Sequence, residues 1–347
     1  MPLLRLTRLV PRTRRWRIVS GILAALSLVA IFWLWTILHV EEIPDELEPM
    51  NESPDAVVLE SLSEVPDLVL GEQRGFKSFY VIIGMRTPKE EGIKLNRALN
   101  RWQYPDDVKG YIVGDAEGAG MFRSMAGQYL DFFRKEARFP IFIDFEGAMN
   151  RVFKLAKGHH GFVVLGADGS VLVRKSGGMD EAELDKLRET LGATKPPPPP
   201  PAPDFKIADL DKAACSDRAC VIIFLGAAVR KTDIPGIDDG FEGDTAAGMQ
   251  QMNKPEVRLA ASALKMKLQG AHGVLIGDVD VPIEGWTVLS EDAQARKTFG
   301  LANDETAMVI IDEQGRLALR EVGLIPMYKW GEAADVLKAD ITSGDDN

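Results

Sequence analysis

The sequence contains very little cysteine: 2 of its 347 residues, Cys215 and Cys220. Two thiols exclude a disulfide-dense scaffold and a zinc or iron–sulfur site built from several cysteines. An excess of basic residues is also missing, since 41 Lys and Arg stand against 52 Asp and Glu. An acidic chain releases no counterions from nucleic-acid phosphates, so the composition argues against nucleic acid as a partner.

The common short motifs of catalysis are absent as well. The chain has no Walker phosphate loop, dinucleotide fingerprint, GxSxG elbow or HExxH pair, so phosphate, hydrolase and metalloprotease chemistry lack their usual signatures. With 46% apolar and 27% charged residues, the composition is that of an ordinary globular protein. We predict no cofactor and no bound metal.

Charge is entirely absent from residues 18–40, which contain no Lys, Arg, Asp or Glu. As a helix this stretch would span about 34 Å, enough for a hydrocarbon core of roughly 30 Å. Residues 1–17 carry six arginines and no acid, whereas acidic residues follow the stretch. By the positive-inside rule, the sequence predicts a single-pass anchor in the inner or cytoplasmic membrane. The N-terminus is then cytoplasmic and residues 41–347 are periplasmic or otherwise extracytoplasmic.

Other targeting signals fit this N-terminus less well. The apolar region of a cleaved signal peptide is about 7–15 residues long and precedes a small-residue cleavage site, and the sequence HVEEIPDEL offers no such site. Arg14 and Arg15 superficially resemble a twin-arginine export signal, but the residues after them fit poorly. An arginine-rich, acid-free start also suits a mitochondrial presequence.

A proline run at residues 196–203 divides the remainder of the chain. Proline fixes φ and removes a hydrogen-bond donor, so the run predicts a semi-rigid polyproline II spacer of about 25 Å. The predicted organisation is a basic N-terminus (1–17), an anchor (18–40), an acidic linker (41–64), a first domain (65–194), a proline-rich linker (195–204), a second domain (205–340) and a tail (341–347).

Both domains alternate apolar runs with helical periodicity. Continuous apolar runs are typical of strands buried on both faces. The strand candidates are 79–84, 111–114, 139–144, 162–166 and 170–174, and then 221–226, 274–277, 287–289, 308–311 and 317–320. Helical spacing marks 95–102, 122–132, 257–268 and 330–337, and Asp180 with Glu183 resembles a capping box that opens a further helix. Each half is predicted to follow the order β-α-β-α-β-β-α.

The two halves also align with each other. A shift of 146 residues places 140–177 on 286–323 without a gap, so that FVVLGADGSVLVRKSG meets MVIIDEQGRLALREVG. Arg174 then meets Arg320, and Gly177 meets Gly323. Gly169 and Gly315 fall in short polar links where a hairpin turn requires positive φ. The shared element order and the gapless length predict an internal repeat.

This pattern resembles the thioredoxin-like superfamily, and specifically its redoxin and peroxiredoxin-like branch. The resemblance lies in VPDLVLGEQRG (65–75), HGFVVLGADG (160–169) and TAMVIIDEQG (306–315). It covers roughly residues 65–192 and 205–340. The expected fold class is therefore α/β: tandem thioredoxin-like domains, each a central mixed sheet flanked by helices, after an N-terminal transmembrane helix.

The resemblance fails at the positions that carry the family's chemistry. In active members, a helix following the first long strand bears a nucleophilic cysteine, whose thiolate the helix N-terminus stabilises. Here the two cysteine positions are estimated at Thr87 and Glu90 in the first domain and at Val229 and Thr232 in the second. The position of the family's cis-proline falls on His160 and Thr306. The resemblance thus implies two degenerate active sites.

Three other groups of residues are candidates for chemistry. Cys215 and Cys220 are either a displaced redox pair or a structural disulfide. His159 and His160 lack further histidine ligands for tetrahedral zinc, since only His39 and His272 remain. The acidic loop 233–244 has oxygen ligands suited to calcium without the EF-hand spacing. Structural roles are the simpler interpretation of all three.

These observations lead to a hypothesis with two alternatives. The favoured function is non-catalytic protein binding or assembly by membrane-anchored thioredoxin-like domains, with an unknown protein partner at the degenerate sites. The first alternative is a thiol–disulfide or peroxide oxidoreductase that uses Cys215 and Cys220. A purely structural membrane spacer is the third possibility.

Overall fold

The computed structural model describes residues 41–84, 89–120, 123–234, 253–265, 268, 270–280, 283–290 and 292–337. Within these residues, no helix is long and apolar enough to cross a bilayer. The predicted anchor at 18–40 and the tail at 341–347 lie outside the described residues.

The chain divides into two compact units. Among the described residues, the first comprises those up to Leu95, Tyr104–Asp131 and Phe139–Gly192, and the second comprises Asn96–Gln103, Phe132–Arg138 and those from Ala193 onwards. Each unit contains one five-stranded sheet.

The elements of the first half begin with a short antiparallel ladder of β1 and β2 and continue into a long alternating series. Their bounds are β1 (Val58–Leu59), β2 (Leu68–Val69), β3 (Lys77–Gly84), α1 (Lys89–Arg101), β4 (Val108–Asp115), α2 (Arg123–Glu136), β5 (Ile141–Asp144), α3 (Ala148–Phe153), β6 (Gly161–Leu165), β7 (Val171–Ser176) and α4 (Glu181–Leu191). The predicted capping box is present, since Asp180 accepts the amide of Glu183 and Glu183 accepts the amide of Asp180.

The second half repeats this pattern, and the first two strands of its five-stranded sheet are shorter than those of the first half. Its elements are β8 (Lys206–Ile207), β9 (Leu210–Asp211), β10 (Cys220–Phe224), α5 (Pro255–Lys265), β11 (His272–Ile276), β12 (Trp286–Leu289), α6 (Ala293–Thr298), β13 (Ala307–Ile311), β14 (Leu317–Val322) and α7 (Met327–Leu337).

The two five-stranded sheets have the same topology. Their strand orders are β5-β4-β3-β6-β7 and β12-β11-β10-β13-β14. The first three strands of each sheet along the chain are parallel to one another, the fourth runs antiparallel to the central strand, and the fifth runs antiparallel to the fourth. The central strand of each sheet, β3 or β10, therefore lies between a parallel and an antiparallel neighbour.

Burial on both faces explains the continuous apolar runs. All five residues of β6, β10 and β13 are buried. Successive side chains of a strand point to opposite faces, and Val221 and Ile223 accordingly pack with α5 while Ile222 and Phe224 pack with α6. The ten strand candidates all correspond to strands of these sheets.

The predicted element order is wrong in both halves. In the first, α3 intervenes between β5 and β6; in the second, α6 precedes β13 and β11 is followed by β12 with no helix in the described residues between them. Both α3 and α6 contain 6 residues, which is fewer than two helical turns. Such a short element gives too few apolar repeats for a helical period to be recognised.

Equivalent positions of the two halves make the same contacts. Arg174 donates to the carbonyl oxygen of Phe153 at 3.1 Å, and Arg320 donates to that of Phe299 at 2.8 Å. The amide of Gly177 donates to His160 at 2.7 Å, and that of Gly323 donates to Thr306 at 2.8 Å. The antiparallel pairs β6–β7 and β13–β14 also have a register shift at equivalent positions, between Val164 and Leu165 and between Ile310 and Ile311. These pairs are the ones that the shift of 146 residues aligns.

Both segments predicted as linkers make ordered contacts. Leu47 and Met50 pack against the core of the first unit, although 41–64 is acidic. In the proline run, the Pro200 carbonyl accepts the amide of Leu317 at 2.7 Å and the Ala202 amide donates to Gly315 at 2.9 Å. The end of the run thus lies along the edge strand β14 instead of standing free.

Candidate functional site

The carboxyl edge of the first sheet is where a ligand of an open α/β sheet is expected. Parallel strands β3, β4 and β5 end there side by side, with Gly84 paired to Asp115 and Asp115 paired to Asp144. Two carboxylates therefore end adjacent strands, next to the loop that leads from β3 into α1.

His160 lies at the same edge, directly before β6. Its neighbour Gly161 is paired with Ile82 near the end of β3, and its side chain is buried, with 5% exposure. The imidazole ring lies against Gly92 in the first turn of α1, where an added Cβ would meet Nε2 at 1.9 Å. Only glycine leaves room for this ring.

Of the other two predicted positions of the first domain, the structure describes only the backbone of Glu90. Glu90 lies in α1, two residues before Gly92. Thr87 lies outside the described residues. The structure therefore places His160 beside the first turn of α1, and it describes neither the Thr87 position nor the Glu90 side chain.

Asp115 and Asp144 were missed by the sequence reasoning. Asp144 is buried, with 2% exposure, and its carboxylate accepts the amides of Ala148 at 3.0 Å and Met149 at 2.7 Å, which caps α3. Asp115 accepts the amide of Glu117 at 3.1 Å and the Asn150 side chain at 2.8 Å. The available signal was that each aspartate directly follows an apolar run, in YIVGD and FPIFID.

The electrostatics at this edge favour the protonated form of Asp115. Burial raises the pKa of the Asp115 carboxyl, and the nearby carboxylates of Asp144 and Glu117 raise it further. The Glu117 amide and the Lys157 ammonium act in the opposite direction. Lys157 itself pairs with Glu117 at 2.9 Å, so the cation is shared with an exposed acid.

The equivalent corner of the second unit, where the end of β10 meets the segment that leads into β13, is closed by backbone contacts. Gly226 follows β10, and its amide donates to the Thr306 hydroxyl at 2.8 Å. An added Cβ on Gly226 would meet the carbonyl oxygen of Asp304 at 2.0 Å. The two chain segments thus pack directly on one another.

A buried arginine fills the same corner. Arg296, with 1% exposure, donates to the carbonyl oxygens of Leu225 at 2.6 Å and Glu305 at 2.7 Å. Its guanidinium lies 5.5 Å from the ring centroid of Phe224. The sequence reasoning did not find this residue, because arginine is almost never fully buried and nothing in AQARKT marks it.

The three predicted site positions of the second domain lie in different environments. Val229 is fully buried and forms a parallel bridge with Val279. Thr232 is exposed in a short 3-10 turn at Lys231–Asp233. Thr306 uses its hydroxyl to hold Gly226. The structure therefore does not gather these three residues around one open site.

Cys215 and Cys220 form a disulfide, and both are fully buried. Cys220 is the first residue of β10, whereas the corner described above lies at its last residue. At about 3.3 Å per residue, the two ends are on the order of 15 Å apart. The disulfide is thus at the amino edge of the sheet, away from the position at which the family holds its reactive cysteine.

The described residues contain no group of three or more His, Cys, Asp or Glu side chains arranged to hold a metal. His159 contacts the carbonyl oxygen of Glu41 at 2.7 Å, while His160 points into the first unit. The acidic loop lies outside the described residues from position 235 to its end at 244.

Comparisons with known proteins give matches among solved structures. No protein-family model matches the sequence. No curated protein matches it. A thiol-disulfide isomerase from Corynebacterium glutamicum is 16% identical, with coverage of 41% of this chain and 95% of that chain and a TM-score of 0.31.

Two further structures match to a similar extent. The exposed lipoprotein thioredoxin Etrx1 of Streptococcus pneumoniae is 11% identical, with 39% and 98% coverage and a TM-score of 0.30. An uncharacterized conserved protein from Geobacillus kaustophilus is 13% identical, with 44% and 85% coverage and a TM-score of 0.35. On its own strand order and orientation, the structure, with two mixed five-stranded sheets and their flanking helices, fits tandem thioredoxin-like domains.

Proposed function

We propose that this chain is a membrane-anchored extracytoplasmic protein whose thioredoxin-like domains bind or assemble another protein without thiol chemistry. The observation that carries the proposal is the location of its only two cysteines. Both are joined in a buried disulfide at the amino end of β10. Thiol–disulfide exchange requires an accessible, activated thiolate, and this position offers neither exposure nor a helix N-terminus.

The carboxyl edge of the first sheet is the better candidate for the binding surface. In the second unit, Arg296 and Gly226 close the corresponding corner with backbone contacts. In the first unit, Ile93 follows Gly92 on α1 and is 41% exposed. This side chain adds an apolar group to an edge whose polar groups include His160 and Asp115, so a partner could meet both kinds there.

A thiol-exchange assay tests the catalytic half of the proposal. The full chain in detergent is compared with a Cys215→Ala/Cys220→Ala variant for reduction of insulin disulfides by dithiothreitol. The expected result is equal, background rates for both. A rate that depends on the two cysteines would overturn the proposal and establish the oxidoreductase alternative.

Site-specific photo-crosslinking tests the binding half. A photoreactive residue replaces Ile93 in the full chain in native membranes, and the exposed Asp106 at the opposite edge of the sheet is the matched control position. We expect a discrete crosslinked product from position 93 that is absent from position 106. Equal products, or none at position 93, would count against this surface and favour a structural spacer.

A further inference from the structure

The first described residues of the chain are fixed to the carboxyl edge of the first sheet. The Glu41 amide donates to the carbonyl oxygen of Lys157 at 2.9 Å, and the Lys157 amide donates to the Glu41 carboxylate at 3.1 Å. The His159 ring contacts the Glu41 carbonyl oxygen at 2.7 Å. Glu41 thus has three polar contacts with a loop that ends at His160.

The contacts continue through residues 41–52, which we call the N-terminal strap. Ile43 lies over Gly177, and a Cβ added at Gly177 would meet the Ile43 Cδ1 at 2.5 Å. Arg174 donates to the Leu47 carbonyl oxygen at 3.2 Å, and the Leu47 side chain packs against the core. The strap is thereby held along its length and not only at Glu41.

Charge complementarity supports the same placement. The strap contains six acids and no base: Glu41, Glu42, Asp45, Glu46, Glu48 and Glu52. The surface beneath it supplies one cation, since Arg151 lies 3.7 Å from Glu52, and one backbone donor, since the Lys157 amide donates to Glu41. The acidic strap therefore meets complementary groups of the folded unit at both of its ends.

Glu41 is adjacent in sequence to the predicted anchor, so its contacts with the loop before β6 place that loop close to the membrane. Glu41 directly follows Val40, the last residue of the uncharged stretch 18–40, and adjacent Cα atoms are about 3.8 Å apart. The lipid headgroup layer is about 5–8 Å thick on each side of the hydrocarbon core. A free linker of residues 41–64 would instead allow a separation of up to about 80 Å.

We propose that the N-terminal strap holds the carboxyl edge of the first sheet against the lipid headgroup surface. This inference rests on the membrane anchor in the proposed function and deepens it. The edge that contains His160, Asp115 and Asp144 then faces the membrane, and its partner lies in the membrane or on its surface. The opposite edge, which begins β4 at Val108, points away from the membrane.

Fluorescence quenching in vesicles tests this orientation. The chain has no free cysteine in the described structure and only two in all, so one added cysteine takes a fluorophore specifically. Glu146→Cys lies at the carboxyl edge after β5, and Asp106→Cys lies at the amino edge before β4; both replace an exposed acid. The strand between these edges is about 26 Å long.

The full-length variants are reconstituted in phosphatidylcholine vesicles with nitroxide-labelled headgroups. We expect several-fold stronger quenching at position 146 than at position 106. Equal quenching, or stronger quenching at position 106, would overturn the orientation while the anchor stands. A chain that fails to float with the vesicles would overturn the anchor, and the orientation with it.

Variants of the strap separate its contribution from that of chain length. Glu41→Pro removes both the amide donor and the carboxylate, and His159→Ala removes the third contact. The double variant is expected to weaken the contrast between positions 146 and 106, because only the contacts of Ile43 and Leu47 remain. Glu48→Ala, which removes an exposed acid of the strap, should keep it. An undiminished contrast in the double variant would show that the strap does not set the orientation.

Discussion

In both sheets an aspartate lies at the carboxyl end of the second parallel strand, but the surroundings of the two aspartates differ. By strand register, Asp115 of YIVGD in the first unit corresponds to Asp278 of VLIGD in the second. Asp115 lies beside Asp144 and Glu117, and burial raises its pKa. Asp278 is exposed and receives two hydrogen bonds from Arg230, at 2.8 and 3.1 Å.

The space after the central strand is also filled differently in the two units. In the second unit, a buried arginine and a backbone contact at Gly226 fill the space after the central strand. In the first unit, a side chain, His160, fills the corresponding space against Gly92. The second unit therefore satisfies these groups internally, whereas the first unit has titratable groups at the edge where an open α/β sheet is expected to bind a ligand.

Loss of Arg296 should have the largest effect. Arg296→Met leaves the Leu225 and Glu305 carbonyl oxygens without their buried donor. Hydrogen bonds to charged groups contribute about 1.5–3 kcal/mol each, so we expect a loss of about 4 kcal/mol. Denaturant unfolding of the full chain measures it, and the exposed Arg230→Met is the control, with a small change expected. An equal loss in both variants would mean that burial of Arg296 is not the cause.

The two close-packed glycines should respond unequally to an added methyl group. Gly226→Ala presses Cβ on the Asp304 backbone, and overpacking costs about 3 kcal/mol when the neighbour cannot move. Gly92→Ala presses it on the His160 side chain and not on backbone, and alanine favours the helix more than glycine does, so a smaller cost of about 1 kcal/mol is expected. Unfolding midpoints of the two variants give the order.

A double-mutant cycle tests whether the His160 ring causes the destabilisation expected for Gly92→Ala. His160→Ala removes the ring that the new methyl group would strike, so Gly92→Ala should cost less in that background than in the native chain. No such relief is expected for Gly226→Ala. Additive effects of Gly92→Ala and His160→Ala would contradict the contact.

The disulfide should stabilise one unit only. It closes a loop with a sequence separation of 5, for which the chain-entropy model gives about 2 kcal/mol. Cys215→Ala/Cys220→Ala is expected to lower the unfolding transition of the second unit by this amount. The first unit, which contains no cysteine, is the internal control. A shift of both transitions would show that the effect is not confined to the second sheet.

Sequence reasoning located the sheets well because their strands are buried on both faces. Runs such as FVVLG and MVII are continuous and apolar, and their short length favours a buried strand over a buried helix. The capping box at Asp180 and Glu183 was recognisable because both partners are local in sequence. The repeat was recognisable because the two segments align without a gap, and in the structure the aligned Arg174 and Arg320 donate to equivalent backbone carbonyls.

The missed features depend on contacts between residues distant in sequence. Arg296 is buried because Leu225 and Glu305 present their carbonyl oxygens to it, and neither is marked in the sequence. Asp115 and Asp144 become neighbours only when β4 and β5 pair. Residues 41–52 have a linker's composition, and only the complementary groups of the folded unit give them a docking surface. Of the candidate site, His160 alone was anticipated.

The smallest predicted effect is the pH dependence that Asp115 confers. Its folded-state pKa is raised above that of the unfolded chain, so the folded state binds the proton more tightly. This contribution to stability is fully present below the unfolded pKa of about 4 and is lost as pH rises through the raised value. At neutral pH the buried carboxylate therefore opposes folding.

Asp115→Asn removes the charge and keeps one of the two side-chain oxygens, as the acceptor for the Glu117 amide. We expect the variant to be more stable than the native chain at neutral pH and to lose that advantage in mild acid. Asp278→Asn provides the contrast, because it removes an exposed partner of Arg230 and should slightly destabilise the chain at neutral pH. Unfolding midpoints measured across this range give both differences. If the two substitutions behave alike, the edges of the two sheets are electrostatically equivalent, and the first edge loses its distinction as the candidate site.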